Sequence, residues 1–231
     1  MTLEVASARA VTFLAGKGPA SRALYSVVRA AVAGVTRLWT RLEVEGREHV
    51  PTTGPFVLAP VHRSIVDTPI ASCLTRRRMR FMGKDTLWKG RAISWFLSSL
   101  GGFPVHRGTV DREALTRCIT VLEVGEPLVL FPEGERKSGP TVQPLYDGAA
   151  YVALKAGVPI IPVGIGGSER VMPKGSRFIH PRKVHVIVGA PIVRPTAGGR
   201  RVPRPLIREV TEELHETLQR LFDEAQRRAG A

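Results

Sequence analysis

"PFVLAPVHRSIVDTP" occupies residues 55–69, and its reading decides the fold. It opens with an uncharged, mostly apolar run from Pro55 to Val61 and turns polar at His62. A continuous apolar run of this length suits a strand covered on both faces, as in a largely parallel sheet, better than a strand with one wet face. Pro69 is well placed as a first helical residue, with Thr68 or Asp67 as its cap. The stretch therefore predicts a strand, a loop and a helix, with His62 left at the carboxyl end of the strand.

Outward from this stretch the pattern recurs. Strands are predicted over 55–61, 78–82, 102–106, 127–132, 158–163 and 183–188, and helices over 68–76, 90–100, 111–124, 147–156 and 203–228. Apolar strands alternating with helices predict an α/β fold with a mostly parallel central sheet flanked by helices. Ligands in such sheets bind outside the carboxyl ends of the strands. Polar clusters follow three of the predicted strands: "HRSIVD" at 62–67, "HRG" at 106–108 and "PEGERKSG" at 132–139. These could converge on one cleft. "GIGGS" (164–168) follows another strand but lacks the lysine of a phosphate-binding loop and reads as a turn. "VRPTAGGRRVPRP" (193–205) reads as a loop rather than a domain linker.

The start of the chain has a different character. In residues 22–44, Leu24, Val27, Val28, Ala31, Val32, Val35, Leu38, Trp39 and Leu42 recur at steps of three and four, while Arg22, Arg29, Arg37 and Arg41 take other faces. A basic amphipathic helix carrying a Trp suits an interfacial membrane anchor as well as it suits ordinary packing. A second stretch, 76–102, combines arginines with Trp88, Trp95, Phe96, Leu97 and Leu100. All three Trp of the chain lie in these two segments, as interfacial anchoring prefers. Residues 1–45 are thus expected to form an N-terminal amphipathic helical segment that associates with membrane, and residues 46–231 an α/β domain.

The formal charge is +14, from 34 basic and 20 acidic residues. A chain this basic expects an anionic neighbour: nucleic acid, an acidic lipid surface or a phosphorylated substrate. Nucleic-acid binding predicts aromatic residues interleaved with Lys and Arg on a sheet; instead aromatics make up only 6% and the Trp sit in the amphipathic stretches. An anionic membrane surface is the expected partner, and nucleic acid is not. No window approaches the roughly 18 apolar residues that span a bilayer, and no secretory signal is read at the start. The expected location is therefore peripheral, or monotopic, at the cytoplasmic face of the cell membrane. Cys73 and Cys118 fall in apolar helical patterns, away from any C-x-x-C pair, and read as buried free thiols.

His62 and Asp67 are five residues apart. On an ideal helix that spacing leaves the side chains roughly 140° apart, so they meet only if His62 sits in the loop and the chain curls back. A buried Asp67 accepting the Nδ1 proton would fix the tautomer of His62 and leave Nε2 free to take a proton from a hydroxyl. The alternative is a solvated His beside a helix cap. There is no G-x-S-x-G elbow, no activated Cys and no metal-binding cluster, and neither cofactor nor metal is expected. A His–Asp pair without its own nucleophile suits activation of a hydroxyl on a bound substrate.

Gly134 would let the backbone approach a ligand closely, and Arg136 can fork an anionic oxygen pair. The ordered set of His62–Asp67, "GGFPVHRG" (101–108), "FPEGER" (131–136) and "VPIIPV" (158–163) resembles the four motifs of the glycerolipid acyltransferases, the 1-acylglycerol-3-phosphate (lysophosphatidate) acyltransferase family. The resemblance covers residues 50–190. It implies that His62 deprotonates the acceptor hydroxyl and that Asp67 orients it. It further implies that Arg107 and Arg136 hold the acceptor phosphate, that Glu133 and Gly134 shape that site, and that Pro159 and Pro162 belong to the acyl-donor side. Lys84, in "MGKDTLW", matches a family lysine assigned to the phosphate. The implied donor is an acyl thioester, acyl-CoA or acyl-ACP, and the implied acceptor is lysophosphatidate, giving phosphatidate. The sequence departs from the family pattern at His106, where an acid is common, at Glu135, where a small hydroxyl residue is usual, and at Lys137, where Ser is common. Acylation of glycerol-3-phosphate, a lysophospholipid or a glycolipid is the rival within the class, and a non-catalytic lipid- or nucleic-acid-binding protein is the rival outside it.

Overall fold

The computed structural model describes residues 18–105, 112–194 and 201–231. In chain order its elements are α1 (Pro19–Thr40), β1 (Glu43–Glu45), β2 (Val57–Pro60), α2 (Asp67–Ser72), β3 (Arg80–Lys84), α3 (Arg91–Ser99), β4 (Gly102–Val105), α4 (Arg112–Glu123), β5 (Leu128–Val129), α5 (Gly148–Ala156), β6 (Ile160–Gly166), α6 (Ser168–Val171), β7 (His185–Val188) and α7 (Arg204–Ala229).

Among these residues seven strands form one sheet in the order β1-β7-β6-β2-β5-β3-β4. Strands β6, β2, β5, β3 and β4 are mutually parallel, while β7 runs antiparallel to β6 and carries β1 parallel to itself at the edge. Every residue of β2 and of β6 is buried, which is why both read as unbroken apolar runs rather than as alternating ones. The core joins both faces of the sheet through Phe56, Leu58, Ile70, Leu74, Leu128, Ile161 and Phe222.

The chain leaves β2 toward β3 on one side, but leaves β5 for β6 on the other side of β2. The two connections diverge between the carboxyl ends of β2 and β5, which makes that gap the topological switch point where α/β sheets open a crevice.

The predicted elements are present, with two differences. Helix α1 stops at Thr40 because Arg41 adopts a left-handed conformation at φ 44°, and the next residues, Glu43-Val44-Glu45, form edge strand β1. Their polar–apolar–polar alternation is a strand signal that the preceding helical periodicity hides. Residues 43–45 therefore belong to the sheet. The other difference lies at "GIGGS": β6 continues through Gly166, and only Gly167, at φ 80°, turns. A Cβ on Gly164 would lie 2.5 Å from the Leu221 carbonyl, and one on Gly166 would lie 2.1 Å from the Ala225 carbonyl. These glycines let the backbone of α7 rest directly on β6.

Helix α1 packs unlike its apolar pattern suggests. Its buried residues are Ser21, Tyr25, Ala33, Thr36 and Thr40. Val27 is 68% exposed and Leu38 84% exposed, with Val35 and Trp39 also outside. On a wheel of about 100° per residue the buried face is turned roughly a third of a turn from the centre of the apolar stripe. Helix α3 repeats this, burying Ser98 and Ser99 and exposing Ile93, Trp95 and Phe96. The two helices meet at Ser21 and Ser99, whose hydroxyl oxygens are 3.4 Å apart. No helix among the described residues is long and apolar enough to cross a membrane.

Candidate active site

His62 follows β2 just beyond the last backbone bond to β6, in which Val61 N donates to Val163 O at 3.1 Å. Its Nδ1 lies 3.0 Å from Asp67 Oδ2. The chain curls back as the five-residue spacing requires, because the same Oδ2 accepts the backbone N–H groups of Arg63 and Ser64, each at 2.7 Å. Asp67 is the first residue of α2 and is fully buried. It does not cap its own helix; its side chain ties the loop before it. Its Oδ1 is buried with no partner among the described residues, so all of its hydrogen bonding is concentrated on the oxygen facing the imidazole.

The His62 side chain keeps 14% of its surface exposed. Its ring stacks on Phe131, with centroids 4.0 Å apart and planes 22° apart. With Nδ1 held by Asp67, Nε2 is the nitrogen left to meet a substrate. Phe131 comes from the segment after β5, so the stack joins the chain ends of β2 and β5 at the switch point.

A buried ion pair lies behind the histidine. Arg63 and Glu133 are both fully buried, and Arg63 Nη1 donates to Glu133 Oε2 at 2.7 Å and to Oε1 at 2.9 Å. Glu133 Oε2 also accepts the His62 backbone N–H at 3.0 Å, and Oε1 accepts that of Gln143 at 3.1 Å. Arg63 donates further to the Gly139 and Thr141 carbonyls at 3.2 and 3.1 Å and lies 4.7 Å from the centroid of the Phe222 ring. Each buried charge thus has its partner and its remaining donors or acceptors satisfied, the condition under which a buried pair is tolerated. The pair ties the loop after β2 to the loop after β5. The sequence reading missed Arg63, whose only signal was its place between His62 and an apolar helix.

The expected site residues fall into three groups. His62, Asp67 and the segment carrying Glu133, Gly134 and Arg136 come together. Glu133 meets the site from behind, with both oxygens engaged inside the protein. Gly134 turns at φ 73°, and a Cβ there would strike the Tyr146 ring at 2.7 Å. Arg136 is half-buried on a loop held to the histidine, since Lys137 N donates to His62 O at 2.9 Å. Arg136 has no side-chain partner among the described residues. Lys137, by contrast, donates to Glu135 at 2.8 Å, a bond that holds its ammonium pKa above the usual lysine value. Lys84 is the last residue of β3, so its backbone stands at the carboxyl end of the sheet. Arg107, with His106, lies outside the described residues. Pro159 and Pro162 are not brought to His62: Pro159 precedes β6 at its amino end, and Pro162 is buried within the strand opposite Ala59. Both cysteines are buried and free, and no cluster of His, Cys, Asp and Glu among the described residues could hold a metal ion.

This arrangement offers a carboxylate-oriented imidazole, one ring nitrogen left for a substrate, and, on the loop bonded to the His62 carbonyl, a half-buried Arg136 with no side-chain partner among the described residues. It can accept a proton from an anionic alcohol. Comparison with known proteins identifies the family. The acyltransferase family pattern matches residues 41–166. A chloroplastic 1-acyl-sn-glycerol-3-phosphate acyltransferase of Brassica napus is 28% identical over 172 residues, covering 68% of this chain and 49% of that protein. The 1-acyl-sn-glycerol-3-phosphate acyltransferase of Bacillus subtilis is 26% identical over 170 residues, covering 73% of this chain and 82% of that protein. The crystal structure of the 1-acyl-sn-glycerophosphate acyltransferase from Thermotoga maritima shares the fold, with a TM-score of 0.74 at 23% identity over 96% of this chain and 88% of that one. The chain spans about half the length of the plant relatives it matches.

Proposed function

This chain belongs to the acyltransferase family, and from that premise we propose that it transfers an acyl group from a thioester to the free hydroxyl of 1-acyl-sn-glycerol-3-phosphate, giving phosphatidate. One observation carries the reading: the 3.0 Å contact of His62 Nδ1 with a fully buried Asp67, which leaves Nε2 as the free base. Nε2 takes the hydroxyl proton as the alcohol oxygen bonds to the thioester carbonyl carbon. The resulting tetrahedral oxyanion collapses, the C–S bond breaks, and the imidazolium proton passes to the departing thiolate. An alcohol and a thioester become an ester and a thiol, with no cofactor in the balance. The thioester is that of coenzyme A or of acyl carrier protein.

The acceptor phosphate is assigned to Arg136, with Lys84 and Arg107 as the further phosphate ligands that the family resemblance implies. A lysine or arginine near a phosphate neutralises it without entering the chemistry, so these residues act on acceptor binding. The acceptor is an amphiphile of the bilayer. The exposed apolar faces of α1 and α3, flanked by arginines, support a monotopic association with the membrane.

Replacing His62→Ala is expected to lower the rate with acyl-CoA and lysophosphatidate by about 10²–10⁴-fold, the usual contribution of a positioned general base, with little change in melting temperature. Activity within a few-fold of wild type would remove the mechanism. A panel containing glycerol-3-phosphate, other lysophospholipids and a glycolipid tests the acceptor in the same assay.

A further inference from the structure

We infer that the loop joining α6 to β7, Met172–Lys183, is a second contact with an anionic bilayer, separate from the α1–α3 surface. The inference deepens the membrane reading above and rests on it. The loop has a built shape. His180 N donates to Val171 O at 2.7 Å and closes its base, and Ser176 N donates to Pro173 O at 3.0 Å and forms a turn. Phe178 N donates to Ser176 Oγ at 3.1 Å, and that hydroxyl donates to Phe178 O at 3.2 Å. From this tied scaffold two adjacent large apolar side chains project, Phe178 at 74% exposure and Ile179 at 52%. Single exposed apolar residues are ordinary, but two together on a structured loop mark a contact surface.

Charge identifies the occupant. Lys174, Arg177 and Arg182 are exposed and flank the apolar pair along the chain, and none of them has an ion pair among the described residues. No acidic residue stands between Glu169 and Glu209 in the chain. Exposed apolar side chains with cations on both sides along the chain are the composition of an interfacial anchor on anionic lipid. Position connects the loop to the chemistry. Ser64, two residues after His62, donates its hydroxyl to Met172 O at 2.8 Å, so the root of the loop is bonded to the catalytic turn. The loop leaves the carboxyl end of β6, next to β2, whereas α3 belongs to the β3–β4 side. A bilayer touched at this loop lies against the mouth from which a lipid alcohol would reach Nε2.

The test uses the full chain and two variants: Phe178→Ser with Ile179→Ser, and Lys174→Gln with Arg177→Gln and Arg182→Gln. Each is sedimented with vesicles of phosphatidylcholine, alone or mixed equally with phosphatidylglycerol. Each is also assayed with lysophosphatidate presented in those vesicles and with a short-chain lysophosphatidate dissolved as monomer. The apolar variant is expected to partition about tenfold more weakly onto both vesicles. The charge variant is expected to lose about fivefold per charge on the anionic vesicles only. Rates on vesicle-borne acceptor fall in parallel, and rates on the dissolved acceptor stay unchanged. Unchanged partition in both variants overturns the inference. So does an equal loss on the dissolved acceptor, or a loss confined to a carrier-protein donor with partition intact, which would give the loop to that acidic protein. If no form acylates lysophosphatidate, the acceptor reading falls while the partition measurements still decide the loop.

Discussion

Helix α7 turns Leu214, Leu218 and Phe222 into the sheet, whereas α1, of similar length, turns Ser21, Thr36 and Thr40 inward and leaves Val27, Val35 and Leu38 outside. Both are amphipathic, and their sequences alone do not say which face meets the protein. The surfaces beneath them do. Under α7 the strand offers Gly164 and Gly166, so the helix backbone approaches closely and its apolar side chains fill the space on either side. Under α1 the contacts are hydroxyl and carbonyl groups: Ser99 for Ser21, and the Arg77 carbonyl for the Tyr25 hydroxyl at 3.3 Å. An apolar stripe excluded from its own domain needs another nonaqueous surface, and the proposed bilayer supplies one.

The contrast can be broken most forcefully at Gly166. A Cβ there meets backbone rather than a movable side chain, so Gly166→Val is expected to cost about 3 kcal/mol or more. The urea midpoint at constant slope measures it, and a midpoint near wild type would mean that α7 does not lie directly on β6. Next comes a matched pair of truncations. Leu218→Ala, in the fully buried face of α7, is expected to lose about 2–5 kcal/mol. Leu38→Ala in detergent is expected to stay within about 0.5 kcal/mol of wild type, while weakening partition onto anionic vesicles. Equal costs in the two would end the distinction between the helices. The smallest effect is expected at Gly34, inside α1, where an added Cβ meets nothing within 4 Å. Gly34→Ala should raise stability by about 0.5–1 kcal/mol through helix propensity; a loss would show that this face packs on the protein itself.

The same contrast bears on what the sequence could convey. The central strands were legible because burial on both faces writes itself as unbroken apolar residues. The His62–Asp67 pairing was legible as a geometric condition, since a spacing of five excludes one helical face and leaves a curled loop. The outward turn of α1 was not, because periodicity gives the angle of a stripe and not its destination. Strand β1 was hidden by its shortness after a long helix. Arg63 was hidden for another reason: an arginine reads as solvated, and its buried partner Glu133 lies 70 positions along the chain. The glycines of "GIGGS" suggested a phosphate loop or a turn because the helix that needs them, α7, begins almost forty residues later.

The imidazole of His62 is clamped by Asp67 at one nitrogen and by the Phe131 ring on its face. A ring so held does not flip between two sites, so in the proposed reaction a single nitrogen serves both halves of the turnover. The proton lifted from the glycerol oxygen and the proton delivered to sulfur would then both pass through that one atom, which must face the alcohol and the leaving thiolate in turn.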